Sequence, residues 1–313
     1  MISSYRIVFM GTPEFAVPAL KRLCGSGHVI LQVVTQPDRP KGRGKTVVFP
    51  PVKTAALELG CPVLQPESVR TPEFSDVISR LDPDMLVVVA YGHVLPQRIL
   101  EIPKQGPINI HASLLPKYRG PAPIQWAVIN REKETGVTLM LMDKGLDTGD
   151  MLSSASVPIL PDDTSGSLHD RLALLGADLL IQTLKYYPVH RKNAVPQVHE
   201  QATYAPLLKK EDGHLDWRQT ADELEAKIRG MSPWPGAFSF CDGKRIKIYR
   251  AGRKSVVMQE APGTVLKGFS DELTVVAGKD ALIILELQGE SGKRLPVRDF
   301  LRGHPILPGT VLT

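Results

Sequence analysis

Cysteine, aromatic residues and long apolar runs are all scarce in this chain. Its three cysteines, Cys24, Cys61 and Cys241, are far apart in sequence and form no paired CxxC spacing. That count and spacing suggest neither a disulfide framework nor a zinc site. The apolar run near the middle, Leu86 to Ala90, is far too short to cross a bilayer. The opening MISSYRIVFMGTPEF has no long apolar core followed by a cleavage site, so an unsecreted protein of a reducing cytoplasm is expected. A nucleotide fingerprint is missing as well. GTPEF at 11–15 has one glycine where a dinucleotide turn needs three, and Glu14 would set negative charge where a pyrophosphate sits. GKT at 44–46 resembles the end of a phosphate loop, but Arg39 stands where the leading glycine is required. A dehydrogenase or nucleotidase is therefore not expected.

Acidic residues are locally scarce in two places. RPKGRGK at 39–45 carries Arg39, Lys41, Arg43 and Lys45 and no acid, and between Lys227 and Lys267 nine Lys/Arg face only Asp242 and Glu260. The overall charge of +5 is mild for 313 residues, so only this distribution is informative. Either stretch alone is most simply a solvated surface.

What is present divides into two textures. RIVFM at 6–10, HVILQVV at 28–34 and LVVVA at 86–90 read as short strands alternating with helical segments, the pattern of a doubly wound, mostly parallel, Rossmann-like sheet. INIH at 108–111, a helix near 124–130, VTLMLM at 137–142 and a helix over 167–187 continue it. Residues 1–189 are thus expected to form an α/β domain. Residues 190–205, rich in Pro and polar residues, are expected to form a linker. From 206 to 313 the pattern is short strands, GAFSF, RIKIYR, GTVLKG, ELTVVAG and ALIILELQ, behind a helix that opens on a Thr220–Glu223 capping box and stops at Gly230. That predicts a small all-β barrel or sandwich.

In an open sheet, ligands sit beyond the carboxyl ends of the strands, so INIHASLLP at 108–116 stands out. Side chains alternate along a strand, so Asn109 and His111 share a face roughly 7 Å apart. Pro116 cannot donate to a ladder and ends the pairing. An amide N–H and a protonated imidazole can both donate to one developing oxyanion, and the imidazole can pass a proton to a departing amine. The alternative is a buried turn former and a satisfied core histidine. MDKGLDTGD at 142–150 offers Asp143, Asp147 and Asp150 directly after another strand, at the same edge if that strand is parallel. Each of the three can equally form an Asx turn.

FMGTPEFAVPAL at 9–20, QPDRPKGRGK at 36–45, INIHASLLPKYRGPAPIQWA at 108–127 and MDKGLDTGDML at 142–152 closely resemble the methionyl-tRNA formyltransferase family. GHLDW at 213–217 and IRGMSPWPGAF at 228–238 extend the likeness into the second domain. The pairing of Asn-x-His and SLLP with a later LDTGD is common to a wider group of transferases and hydrolases that use 10-formyltetrahydrofolate. The resemblance implies that Asn109, His111 and Asp147 are the catalytic set and that Ser113, Leu114, Leu115 and Pro116 lie on the folate site. Tyr91, Gly92 and His93 are expected near the same pocket, and no metal is needed. Ala112 stands where some relatives carry proline and Lys117 where arginine is common; neither lies on the proton path.

The resemblance also implies an OB-like second domain and methionyl-initiator tRNA as the acceptor. Lys244, Arg245 and Lys247, with Arg250, Arg253 and Lys254, are expected to form a phosphate-neutralising face. The stretch 36–51, carrying Arg39, Lys41, Arg43 and Lys45, is expected to be the loop that engages the acceptor arm. Two competitors remain at this level: a formyltransferase or deformylating hydrolase for a small molecule, and a non-catalytic RNA-binding protein on an enzyme fold.

Overall fold

The computed structural model describes residues 4–41, 46–257 and 259–313. In chain order the first part comprises β1 (Arg6–Gly11), α1 (Val17–Cys24), β2 (Val29–Val34), β3 (Arg39–Lys41), β4 (Thr46–Val48), α2 (Pro51–Glu58), β5 (Val63–Leu64), α3 (Pro72–Arg80), β6 (Met85–Val89), α4 (Gln97–Leu100) and β7 (Pro107–His111). It continues through α5 (Pro123–Ile129), β8 (Glu134–Leu141), β9 (Met151–Pro158), α6 (Ser165–Lys185) and α7 (Tyr187–Lys192). Seven strands form one sheet in the order β5-β2-β1-β6-β7-β8-β9. The pairs β2·β5, β1·β2, β1·β6 and β6·β7 are parallel, whereas β7·β8 is antiparallel.

Apolar side chains on both faces explain why these strands lack a clean polar alternation. Val8, Met10, Leu86 and Val88 pack with Phe74, Ile78 and Ile99, which covers one face with α3 and α4. On the other face α6 crosses β7 and β8 closely at Gly176, where a Cβ would come within 2.9 Å of Ile110 and 3.3 Å of Val137. Ile110 therefore lies under a helix, and alternation turns Asn109 and His111 to the opposite face.

The chain divides into two compact units. The first comprises residues up to 120, 135–157 and 169–205; the second comprises 121–134, 158–168 and 206–313. The stretch 190–205, expected as a linker, is part of the first unit: Gln197 is buried, and Thr203 accepts hydrogen bonds from the Tyr118 and Arg119 N–H groups, at its hydroxyl and its carbonyl respectively. Its polar composition reflects side chains that bond inward. Cys24 and Cys61, separated in sequence, bring their thiols within 3.4 Å of each other. Burial, with Cys61 as neighbour, pushes the Cys24 thiol up to about 12.

The second unit contains α8 (Ala221–Gly230), β10 (Ala237–Cys241), β11 (Lys244–Lys254), β12 (Leu273–Val276), β13 (Ala281–Gln288), β14 (Leu295–Pro296) and α9 (Val297–Gly303). The capping box is formed: the Thr220 hydroxyl accepts from the Glu223 N–H, and the Glu223 carboxylate accepts from the Thr220 N–H. The antiparallel strands run β10-β11-β13-β12, with β14 on β13. GTVLKG, expected as a full strand, makes single bridges instead, Val265 to Val275 and Thr264 to Val311. Phe240 and Thr313 exchange backbone hydrogen bonds at 2.7 and 3.0 Å, so these bridges join β12 to β10 through the carboxyl-terminal residues. The circuit is that of a small barrel.

Gly176→Val should destabilise the first unit by about 1–3 kcal/mol through overpacking against Ile110 and Val137. Denaturant unfolding followed by circular dichroism checks this, with Gly176→Ala expected to cost less.

Candidate active site

β7 ends at His111, and the following turn is pinned by a residue on the neighbouring strand. Thr138 is the cross-strand partner of His111. Its hydroxyl donates to the Ser113 carbonyl at 2.7 Å and accepts from the Leu115 N–H at 3.1 Å. Ser113, fully buried, donates to the Lys117 carbonyl at 2.6 Å. One β-branched hydroxyl thus satisfies two backbone groups of the Leu-Leu-Pro turn, which burial alone would leave costly. In VTLMLM Thr138 is the one hydroxyl, but nothing in the sequence says what it bonds.

The same turn carries the chain to Tyr118–Gly120, which holds the polar groups. The His111 Nε2 atom is 2.9 Å from the Tyr118 carbonyl oxygen. A carbonyl only accepts, so this nitrogen carries a proton. Its other nitrogen, Nδ1, faces the Asp147 Oδ2 at 3.6 Å, with both side chains largely buried. That carboxylate oxygen accepts from the Gly120 N–H at 2.8 Å. Gly120 has φ 112°, and a Cβ there would press on the Ala205 carbonyl at 3.0 Å, so a side chain is excluded twice over. The Asn109 amide is half-buried on the face of His111 and, among the described residues, has no hydrogen-bond partner within the chain.

The three aspartates of 142–150 behave differently. Asp143 forms a turn, accepting from the Gly145 N–H at 2.9 Å and the Thr148 hydroxyl at 2.6 Å. Asp150 is exposed, and its carbonyl accepts from the Leu141 N–H. Of the three, it is Asp147 that meets His111. The condition attached to this loop, that its strand be parallel, is not met. β8 runs against β7, pairing Leu141 with Ile108 and Thr138 with His111. The loop therefore leaves β8 about 10 Å from His111 and folds back over the face. Asp147 adopts φ 53° in doing so, and the buried Gln197 amide donates to its carbonyl and to that of Gly149, each at 2.8 Å.

The remaining expected site residues divide. Leu114 and Pro116 are half-buried, and Leu115 is buried in the turn. Tyr91 sends its ring into the core of the α3–α4 face, where burial raises its hydroxyl to about 12. Its carbonyl accepts from Thr12 at 2.9 Å and Gln36 at 3.0 Å. Only Gly92, at φ 90°, and His93 are exposed there. The segment expected as a plain basic loop contains the β3·β4 hairpin, with Lys41 in β3. Arg39 donates to Gln36 at 3.2 Å, while Arg43 and Lys45 lie outside the described residues.

In the second unit the cations are not equivalent. Arg253 pairs with Asp222, and Lys254 pairs with Glu272 at 2.8 Å, so each of these exposed cations already has an acid beside it. Arg245 and Lys247 stand on the outer face of β11, since Ile246 and Ile248, which alternate with them, are in the core. The Arg245 guanidinium lies 3.7 Å from the Phe238 ring centre, and His214 stacks on that same ring at 5.2 Å. Lys244 is exposed at the start of the strand.

Among the described residues no helix is long and apolar enough to cross a membrane. Residues 5–184 match the formyl transferase family model, and residues 207–305 match its carboxyl-terminal domain. The chain is 54% identical to a methionyl-tRNA formyltransferase of Caldanaerobacter subterraneus subsp. tengcongensis, over 98% of this chain and 99% of that protein. It is 51% identical to one of Citrifermentans bemidjiense, over 99% and 97% of the two chains. Among solved structures, HypX from Aquifex aeolicus in complex with tetrahydrofolic acid superposes with a TM-score of 0.62 at 18% identity, covering 96% of this chain and 47% of that one. At that identity the superposition speaks for the fold alone. With an amide, an imidazole and a carboxylate gathered at the end of a central strand, and both domain models matched in order, the chain belongs to the formyl transferase family.

Proposed function

We propose that this chain is a methionyl-tRNA formyltransferase, moving the formyl group of 10-formyltetrahydrofolate onto the α-amino group of methionyl-initiator tRNA for translation initiation. The observation that carries the chemistry is the His111–Asp147 pair beside the free Asn109 amide. The full-length identity to proteins of that name supports the acceptor.

The folate co-substrate supplies an activated formyl group whose leaving atom is N10. The α-amine attacks the formyl carbon, a C–N bond forms, and the carbonyl oxygen becomes an oxyanion. Asn109 donates its amide N–H to that oxygen. His111, held by Tyr118 at Nε2, receives at Nδ1 the proton lost by the attacking amine, where the Asp147 carboxylate is 3.6 Å away, and the resulting imidazolium adds positive charge beside the oxyanion. As the oxyanion collapses and the bond to N10 breaks, the proton leaves Nδ1 for N10. The products are the formylated tRNA and tetrahydrofolate. Leu114, Leu115 and Pro116 supply apolar contact for the folate ring, and Ser113 acts through the shape of the turn, since its hydroxyl is spent on Lys117. Gly92 and His93 complete the exposed rim. Arg39, Lys41, Arg43 and Lys45 meet the acceptor arm, while Lys244, Arg245 and Lys247 neutralise backbone phosphates of the tRNA.

Asn109→Ala should lower kcat by about 10²–10³ with KM for tRNA little changed, as expected for a donor used chiefly in the transition state. Single-turnover formyl transfer with charged initiator tRNA measures this. Free methionine or an amino sugar formylated at comparable rates would overturn the acceptor. Arg245→Gln with Lys247→Gln should raise KM for tRNA and flatten its dependence on log salt by about 0.7–0.9 for each phosphate no longer neutralised. Steady-state rates across a salt series give the slope.

A further inference from the structure

Arg119 is among the largest fully buried side chains of the protein, about 2% exposed. Burying a cation is costly even after relaxation, and a paired carboxylate is the usual compensation. Among the described residues no carboxylate pairs with this guanidinium. Its acceptors are neutral: the Gln197 Oε1, reached from Nε at 3.0 Å and Nη2 at 2.7 Å, and the His199 Nδ1 at 3.3 Å.

We propose that Arg119 and Gln197 are positioning residues that hold the Asp147 carboxylate against His111 by gripping the backbone of its loop. The proposal rests on the assignment of Asp147 to proton transfer made above. A guanidinium only donates, so it fixes which end of the Gln197 amide faces it and turns the NH2 group the other way. That NH2 group meets the carbonyls of Asp147 and Gly149, both at 2.8 Å. The grip falls where the loop needs it. Asp147 has φ 53°, a left-handed conformation that is strained for an L-residue and persists only when its surroundings over-determine it. The loop also starts from the far end of β8, so nothing in the sheet ladder returns Asp147 to His111.

The backbone on either side of Arg119 completes the arrangement. Tyr118 accepts from His111, and Gly120 donates to the Asp147 carboxylate. The Arg119 N–H donates to Thr203, and its carbonyl accepts from Ala205, both at 2.8 Å. Residues 197–205 thus act as a strap across 118–120. The Arg119 side chain bonds to Gln197 and His199 rather than to His111 or the Asp147 carboxylate; its influence passes through Gln197.

Gln197→Glu separates this role from a purely structural one. The carboxylate keeps both bonds to Arg119 and adds charge attraction, so the fold should be retained, but it has no N–H for the two loop carbonyls. The expected result is a fall in kcat of about tenfold to a hundredfold, the scale of a reacting group displaced by up to 1 Å. KM for tRNA and for the folate should stay within about twofold, and the thermal midpoint should hold or rise. In an Asp147→Asn background the same substitution should cost less than about twofold more, because the group it positions is already disabled. A Gln197→Glu enzyme with kcat within about twofold of the parent overturns the proposal, as does a fall that multiplies in full with that of Asp147→Asn. Asp147→Asn leaving kcat intact overturns the earlier assignment of Asp147 and this proposal with it, an outcome distinct from a silent Gln197→Glu. Should Gln197→Glu fail to fold, Gln197→Met, which also lacks the donor, is read by the same criteria.

Discussion

A single stretch of backbone, Tyr118–Gly120, bonds the two ionisable groups of the site, accepting from His111 with one peptide group and donating to Asp147 with another. Neither bond uses a long side chain, so neither orientation depends on a rotamer that water can compete for. Backbone dipoles fixed before substrate arrives need no reorganisation during the reaction, which is where electrostatic catalysis gains most. The cost falls elsewhere in the fold: Gly120 must be glycine, Arg119 must be buried, and the turn before them must be held by Thr138.

Sheet topology explains why so much support is needed. At a parallel pair both strands deliver their following loops to the same edge, and an acid after β8 would reach His111 directly. The antiparallel pairing of β7 with β8 forbids that, and Asp147 arrives only because its loop doubles back. The polar stretch 190–205 compensates for this geometry. Its Gln197 supplies two donors to the returned loop, and its Thr203 and Ala205 bond the segment that carries Arg119.

Legibility in the sequence follows the range of the interactions. The alternation that places Asn109 and His111 on one face is local and readable, as is the capping box at Thr220. The two-layer covering of the first sheet shows in its near-continuous apolar strands. The direction of β8 does not, because a strand buried on both faces has the same composition whichever way it runs. Gln197 and Thr138 are invisible for a related reason: the first sits in a polar segment and the second in an apolar run, and their partners are tens of residues away. The choice among Asp143, Asp147 and Asp150 rests on resemblance, since spacing alone gives each aspartate the same chance of forming the turn that Asp143 makes.

The second unit shows how little a count of cations says about an electrostatic face. Of the residues that make β11 basic, Arg253 and Lys254 are already opposed by carboxylates, so their fields are largely cancelled before any polyanion approaches. Arg245 is different in kind. Stacked on Phe238, its guanidinium plane is fixed against a ring, and the Nε atom is buried without a partner. A cation held in this way gives up less conformational entropy on meeting a phosphate than a free lysine does, and its planar fork suits two oxygens at once. His214 on the same ring adds a second flat surface at the strand edge. Phe238 is itself buried, so its ring serves to fix the guanidinium beside it.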